Sequence, residues 1–236
     1  MDEGRDLQRF FCISLAAWPA EHHDVLIHLD LQIRNLTKHC DDYRYAIMLI
    51  EKCNAEQDRI VLSKRDLSEK FFVYPGMEIS FFEYKRHQER ISSEGKSWSA
   101  WLHIAARDAA MTVHHFEETL SEISRLARQC QPIWVRVNKA ELKEARRRYK
   151  ESFPSHREVR DALAHRAGAT LSPQAIKRHS ASKIFITDSI FSSGITFTRN
   201  GEVVAVPLNT EAAKQLCEVT TKVYSAFSDV AENNSF

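Results

Sequence analysis

The chain has 236 residues, with 33 Lys and Arg against 32 Asp and Glu, and its composition is 43% hydrophobic and 28% charged. That length suits one folded domain, able to remove roughly 70% of its unfolded surface from water. A formal net charge of +1 excludes a whole-molecule field for nucleic acid, so any such interface has to be a local patch.

The N-terminal stretch from Phe10 to Trp18 is the nearest candidate for a targeting segment. Asp2, Glu3 and Asp6 stand before it among Arg5 and Arg9, so it lacks the basic leader of a secretory signal and reads as a buried element. No run reaches the roughly eighteen apolar residues that a membrane crossing needs. Cys12, Cys40, Cys53, Cys130 and Cys217 are dispersed, with no CxxC pair. An odd, widely spaced set reads as free thiols in a reducing compartment, so a cytoplasmic protein without a membrane partner is expected.

Val25, Ile27, Leu29, Leu31 and Ile33 alternate with polar residues at period two, which suggests a strand, although Leu26 spoils the polar side and a helix is the other reading. Residues 40–66 suit one or two helices, and Tyr74-Pro75-Gly76 predicts a turn. From Trp98 to Cys130 there is neither Pro nor Gly. Leu102, Ala105, Ala109, Val113, Phe116, Leu120, Ile123, Ala127 and Cys130 recur every three or four residues, the stripe of a long packed helix that Pro132 ends.

Asn138 with Glu141 predicts the capped start of a second helix, with Leu142, Ala145 and Tyr149 facing inward. Ser155 with Glu158 repeats the pattern and opens a helix that carries Val159, Ala162 and Leu163 and stops near Gly168. Ser172-Pro173 begins another short helix. Residues 184–191, 195–198 and 203–208 have strand composition, with Asn200-Gly201 as a tight hairpin turn. Ala213, Leu216, Val219, Val223 and Phe227 mark a closing helix. The expected fold is mainly α and one domain over residues 1–236. It comprises a helical bundle core at about 98–168, a small C-terminal β-hairpin and closing helix at about 183–228, and an N-terminal strand as an optional addition.

The residues with the sharpest chemistry are Arg160, Asp161 and His165. Asp161 and His165 are four apart and share a helix face. Arg binds phosphate through a planar fork of donors, and His moves protons near neutral pH. For RNA, an imidazole activates the 2′-hydroxyl or protonates the departing oxygen, Arg offsets charge on phosphorus, and Asp161 fixes the tautomer. That scheme needs neither metal nor cofactor.

From Lys139 to Arg166, nine basic residues stand against five acidic ones, an excess of four that suits phosphate, with Arg146 and Arg157 as candidate phosphate binders. The competing reading is that such charges solvate and stabilise helices.

Arg107, Asp108, Thr112 and His115 form a second group. Asp108, Thr112 and His115 share one face, and Arg107 shares another with His114. A polar network securing the bundle is the favoured reading, because buried polar groups need partners regardless of chemistry. The functional reading is a supporting network or phosphate site beside His165. HExxH, GxxxxGK and GxSxG patterns are absent, and the adjacent pairs His22-His23 and His114-His115 diverge too far around a helix to share one ion.

Arg160-Asp161-Ala162-Leu163-Ala164-His165 resembles the R-x4-6-H signature of HEPN domains, including the polar residue after the Arg, and the resemblance covers mainly residues 98–168. It implies a helical bundle that dimerises to join two motifs into one metal-independent ribonuclease site, with Arg160 and His165 as the catalytic pair and Asp161 as their companion. Other members bind nucleotides or have lost catalysis. The expected function is therefore a metal-independent endoribonuclease or toxin-like RNase acting as a homodimer on RNA. The alternative is a non-catalytic regulatory or scaffold domain that binds a nucleotide or a partner protein.

Overall fold

The computed structural model describes residues 11–73, 81–164, 172–182, 184–186, 189–191 and 194–231. Two long helices, α1 (His23–Val73) and α2 (Phe81–Gln129), run antiparallel and share the largest interface. The stretch 25–33 is part of α1, which corrects the strand reading. Leu26, Leu29 and Ile33 are buried while Ile27 and Leu31 are half-exposed, a pattern of threes and fours rather than twos. The stripe continues through Leu36, Cys40, Tyr43, Ile47 and Ile50 in the alternation that lets two helices interlock along a seam. A window of nine residues fits both periods; the longer run fits only the helix.

In α2, every member of the stripe from Leu102 to Ala127 is buried, and Cys130 just beyond it is buried too. Pro132 sits in the first turn of a short helix, α3 (Gln131–Arg136), after α2 has ended at Gln129. The predicted turn at 74–76 lies outside the described residues.

Helix α4 (Lys139–Ser152) starts where expected: the Asn138 side chain accepts from the N–H groups of Ala140 and Glu141. The Asn138 N–H donates to the Ala226 carbonyl, and Glu141 pairs with Lys222 at 3.0 Å rather than closing a capping box. Leu142, Ala145 and Tyr149 are buried. Helix α5 (His156–Ala164) follows, then α6 (Pro173–His179), capped by Ser172. Gly168, the expected end of α5, lies outside the described residues.

Three strands, β1 (Ser189–Phe191), β2 (Gly194–Arg199) and β3 (Glu202–Pro207), form an antiparallel sheet in sequence order, one strand more than a simple hairpin. Asn200 and Gly201 both take positive φ, 50° and 86°, as a two-residue turn between twisted strands requires. Ile195, Phe197, Val204 and Val206 are buried as the sheet packs on α5. Helix α7 (Thr210–Ala226), capped by Asn209, closes the fold against α4 and α1.

Buried side chains from Phe11 to Val230 make one continuous cluster, to which α1 contributes alongside the expected core region. Phe11, Ile13 and Trp18 are buried, as expected for the N-terminal apolar stretch. Among the described residues no helix is long and apolar enough to cross a membrane.

The cysteines depart from the free-thiol expectation. Cys40 of α1 and Cys217 of α7 form a disulfide, their Cα atoms 6.0 Å apart. Sequence spacing is blind to this pair because 177 residues separate the partners and only the α1–α7 packing brings them together. Cys12, Cys53 and Cys130 are free.

Candidate functional site

Helix α5 lies against α2. His156 and Arg160 stand four apart on α5, and His114 and Glu118 stand four apart on α2, so each pair shares one face of its helix. The imidazoles of His114 and His156 lie 6.5 Å apart, nearly parallel, with the Tyr149 ring 5.3 Å from His156. Both histidines are buried, each 6% exposed.

His114 Nε2 lies 3.2 Å from Glu118 Oε1, close enough for an ion pair when the imidazole is charged. His156 Nδ1 donates to the Phe153 carbonyl at 2.8 Å. Nδ1 of His114, Nε2 of His156 and Nε of Arg160 are shielded from solvent and have no hydrogen-bond partner among the described residues. Burial lowers the pKa of His114 against the opposing pull of Glu118, and Arg160, His115 and His156 add to the lowering.

Arg160 spans this seam and the surface. Its Nε is buried, whereas its side chain as a whole is 42% exposed and its tip pairs with Asp161 at 2.6 Å. The other Asp161 oxygen accepts from Arg199 of β2 at 3.2 Å. Asp161 is thus held between two guanidinium groups. His165, the expected partner of Arg160, lies outside the described residues, as does Arg166.

No family model matches this chain, nor does any curated protein or solved structure.

The second sequence group separates. Thr112 is buried, whereas Asp108 and His115 are exposed, so the boundary of the packing runs through a face that helical spacing alone makes uniform. His115 lies 6.2 Å from His39 of α1, which hydrogen-bonds Thr119. Arg107 is half-buried on α2, two turns before His114.

The basic run is largely paired. Arg157 bonds Glu117 of α2 at 3.3 Å. Arg146 is half-buried and directed at the Leu120 carbonyl, with burial and then Arg128 lowering its pKa. Arg147 is held by Glu144 and Glu151, and Arg148 by Glu144 and by Glu218 of α7. Glu144, between two guanidinium groups, is held at about 2. Lys139 lies over the Trp134 ring, while Lys143 and Lys150 have no ion pair among the described residues. A local tally could not include Glu117 and Glu218, because they arrive from other helices.

Sequence reading passed over His156, Arg199 and Glu118. The four-residue spacings His156–Arg160 and His114–Glu118 were a legible signal. Arg199 carried none, since it reaches Asp161 only through sheet packing. Among the described residues no group of three His, Cys, Asp or Glu is arranged to hold a metal ion.

Proposed function

We propose that this chain acts on RNA as a metal-independent, HEPN-like endoribonuclease, with Arg160 as the phosphate-facing group. The observation that carries the reading is the placement of Arg160: its tip is exposed and oriented by Asp161, while its base sits in the imidazole-lined α2–α5 seam. A guanidinium held in this way is preorganised to offset charge developing on a phosphodiester.

In the reaction, an imidazole takes the proton of the ribose 2′-hydroxyl. The 2′-oxygen–phosphorus bond forms, the bond to the 5′-oxygen breaks, and that oxygen receives a proton. His165 is the residue assigned to proton transfer by its spacing from Arg160. A homodimer would bring two such motifs together.

The test is cleavage of single-stranded RNA by the purified chain in the presence of a chelator. Wild-type protein is expected to cut. His165→Ala, shown to be folded by circular dichroism, is expected to lose roughly 10²–10⁴-fold in rate. Undiminished cleavage by that variant, or no cleavage by the wild type, overturns the reading.

A second reading, a non-catalytic nucleotide- or protein-binding domain, is favoured by one observation. Both Asp161 oxygens and most of the neighbouring basic groups are already engaged within the chain. Saturable nucleotide or RNA binding without turnover would select it.

A further inference from the structure

Away from the α2–α5 seam, the Cys40–Cys217 disulfide has two unlike ends. Cys40 is in the core, 2% exposed, on the stripe of α1 that faces the bundle. Cys217 is half-buried and lines a groove of about 660 Å³ between α4 and α7. Three cations and two carboxylates share the lining. Lys222 pairs with Glu141 at 3.0 Å and Arg148 with Glu218 at 3.1 Å. Lys214 is left over: it is exposed, has no ion pair among the described residues, and stands three residues before Cys217, on the same side of α7.

We propose that Cys217 is a thiol-exchange site, at which a small thiol bearing a carboxylate opens the disulfide. The thiolate of the incoming molecule attacks Cys217 Sγ from the groove. A sulfur–sulfur bond forms between that molecule and Cys217 as the Cys40–Cys217 bond breaks. The electron pair leaves on Cys40 Sγ, which takes a proton from water. No outside oxidant or reductant is needed, because one disulfide replaces another.

The direction of attack follows from access: a nucleophile in the groove meets Cys217, while Cys40 is covered. Preference for an anionic thiol follows from Lys214, the uncompensated charge beside the reacting sulfur. Exchange would remove the covalent link between α1 and α7 and leave only contacts such as the Thr37–Tyr224 hydrogen bond at 2.8 Å. This site is independent of the phosphate-directed reading and stands or falls without it.

The experiment treats the full oxidised chain, under native conditions, with glutathione in one arm and cysteamine, a cationic thiol, in the other. Samples are quenched in acid, alkylated and mapped by mass spectrometry. The expected result is a glutathione adduct on the Cys217 peptide with Cys40 newly alkylated. Lys214→Glu, a surface change that leaves the core intact, is expected to slow glutathione several-fold and to accelerate cysteamine. An adduct on Cys40 overturns the proposal, as does a Lys214→Glu variant with unchanged rates for both thiols. Free Cys40 and Cys217 thiols in chain purified without reductant would overturn it as well.

Discussion

His114 makes the α2–α5 seam sensitive to pH. Its folded-state pKa is lowered from 6.5 chiefly by burial, so the folded chain resists a proton that the unfolded chain accepts. The unfolded state then binds more protons, and stability rises with pH. The contribution is present in full above 6.5 and is lost as pH falls through 6.5 toward the lowered folded value. His39 acts in the same direction, its pKa lowered by burial and by His115. The melting temperature is therefore expected to fall between about pH 7.5 and about pH 5.5, and His114→Gln is expected to flatten that dependence. Equal slopes for variant and wild type would show that burial of this imidazole is not the cause.

At the scale of elements, the sheet turns on a backbone contact that no side chain permits. Gly194 opens β2 opposite Pro207, and a Cβ placed there would lie 2.2 Å from the Val206 carbonyl oxygen. Gly194→Ala has to displace β3, which carries the buried Val204 and Val206 and ends at the carbonyl accepting the Tyr43 hydroxyl. A loss of roughly 2–3 kcal/mol is expected in urea unfolding, whereas an unchanged midpoint would mean that the strand shifts freely. The same sheet supplies Arg199 to Asp161, so a strand displaced at Gly194 also loosens one of the two cations that orient the Arg160–Asp161 pair.

For the molecule as a whole, the lengths of α1 and α2 exceed what the bundle covers. Each would span roughly 75 Å at 1.5 Å per residue. Among the described side chains, the last buried residue of α1 is Ile60 and the first of α2 is Leu102. Toward that end the pair is also joined by surface contacts, including Arg59 with Glu94 and the Lys52 ammonium near the Trp98 ring. Exposed ion pairs contribute little to stability, so this end is expected to open locally before the bundle does. Amide hydrogens of residues 61–70 and 84–97 are expected to exchange faster than those of 26–50 and 102–127. Equal protection would show that another surface covers the exposed Val61, Leu62 and Phe82.

The central helix and several helix starts were legible in the chain because they depend on residues within a turn or two of one another, whereas the nine residues at 25–33 fitted a strand as well as a helix. The stripe from Leu102 to Cys130, the helix starts at Asn138 and Ser172, and the Asn200-Gly201 turn are local physics. The Arg160–Asp161 ion pair was not anticipated, because the spacing assigned Asp161 to His165. What the tertiary structure alone decided joins residues far apart: Cys40 with Cys217, Asp161 with Arg199, Arg157 with Glu117, and His114 with His156. Periodicity says which side of a helix is apolar, but not which other helix will cover it. The partner of a charge or a thiol across the core is set by packing, and packing is a property of the whole chain.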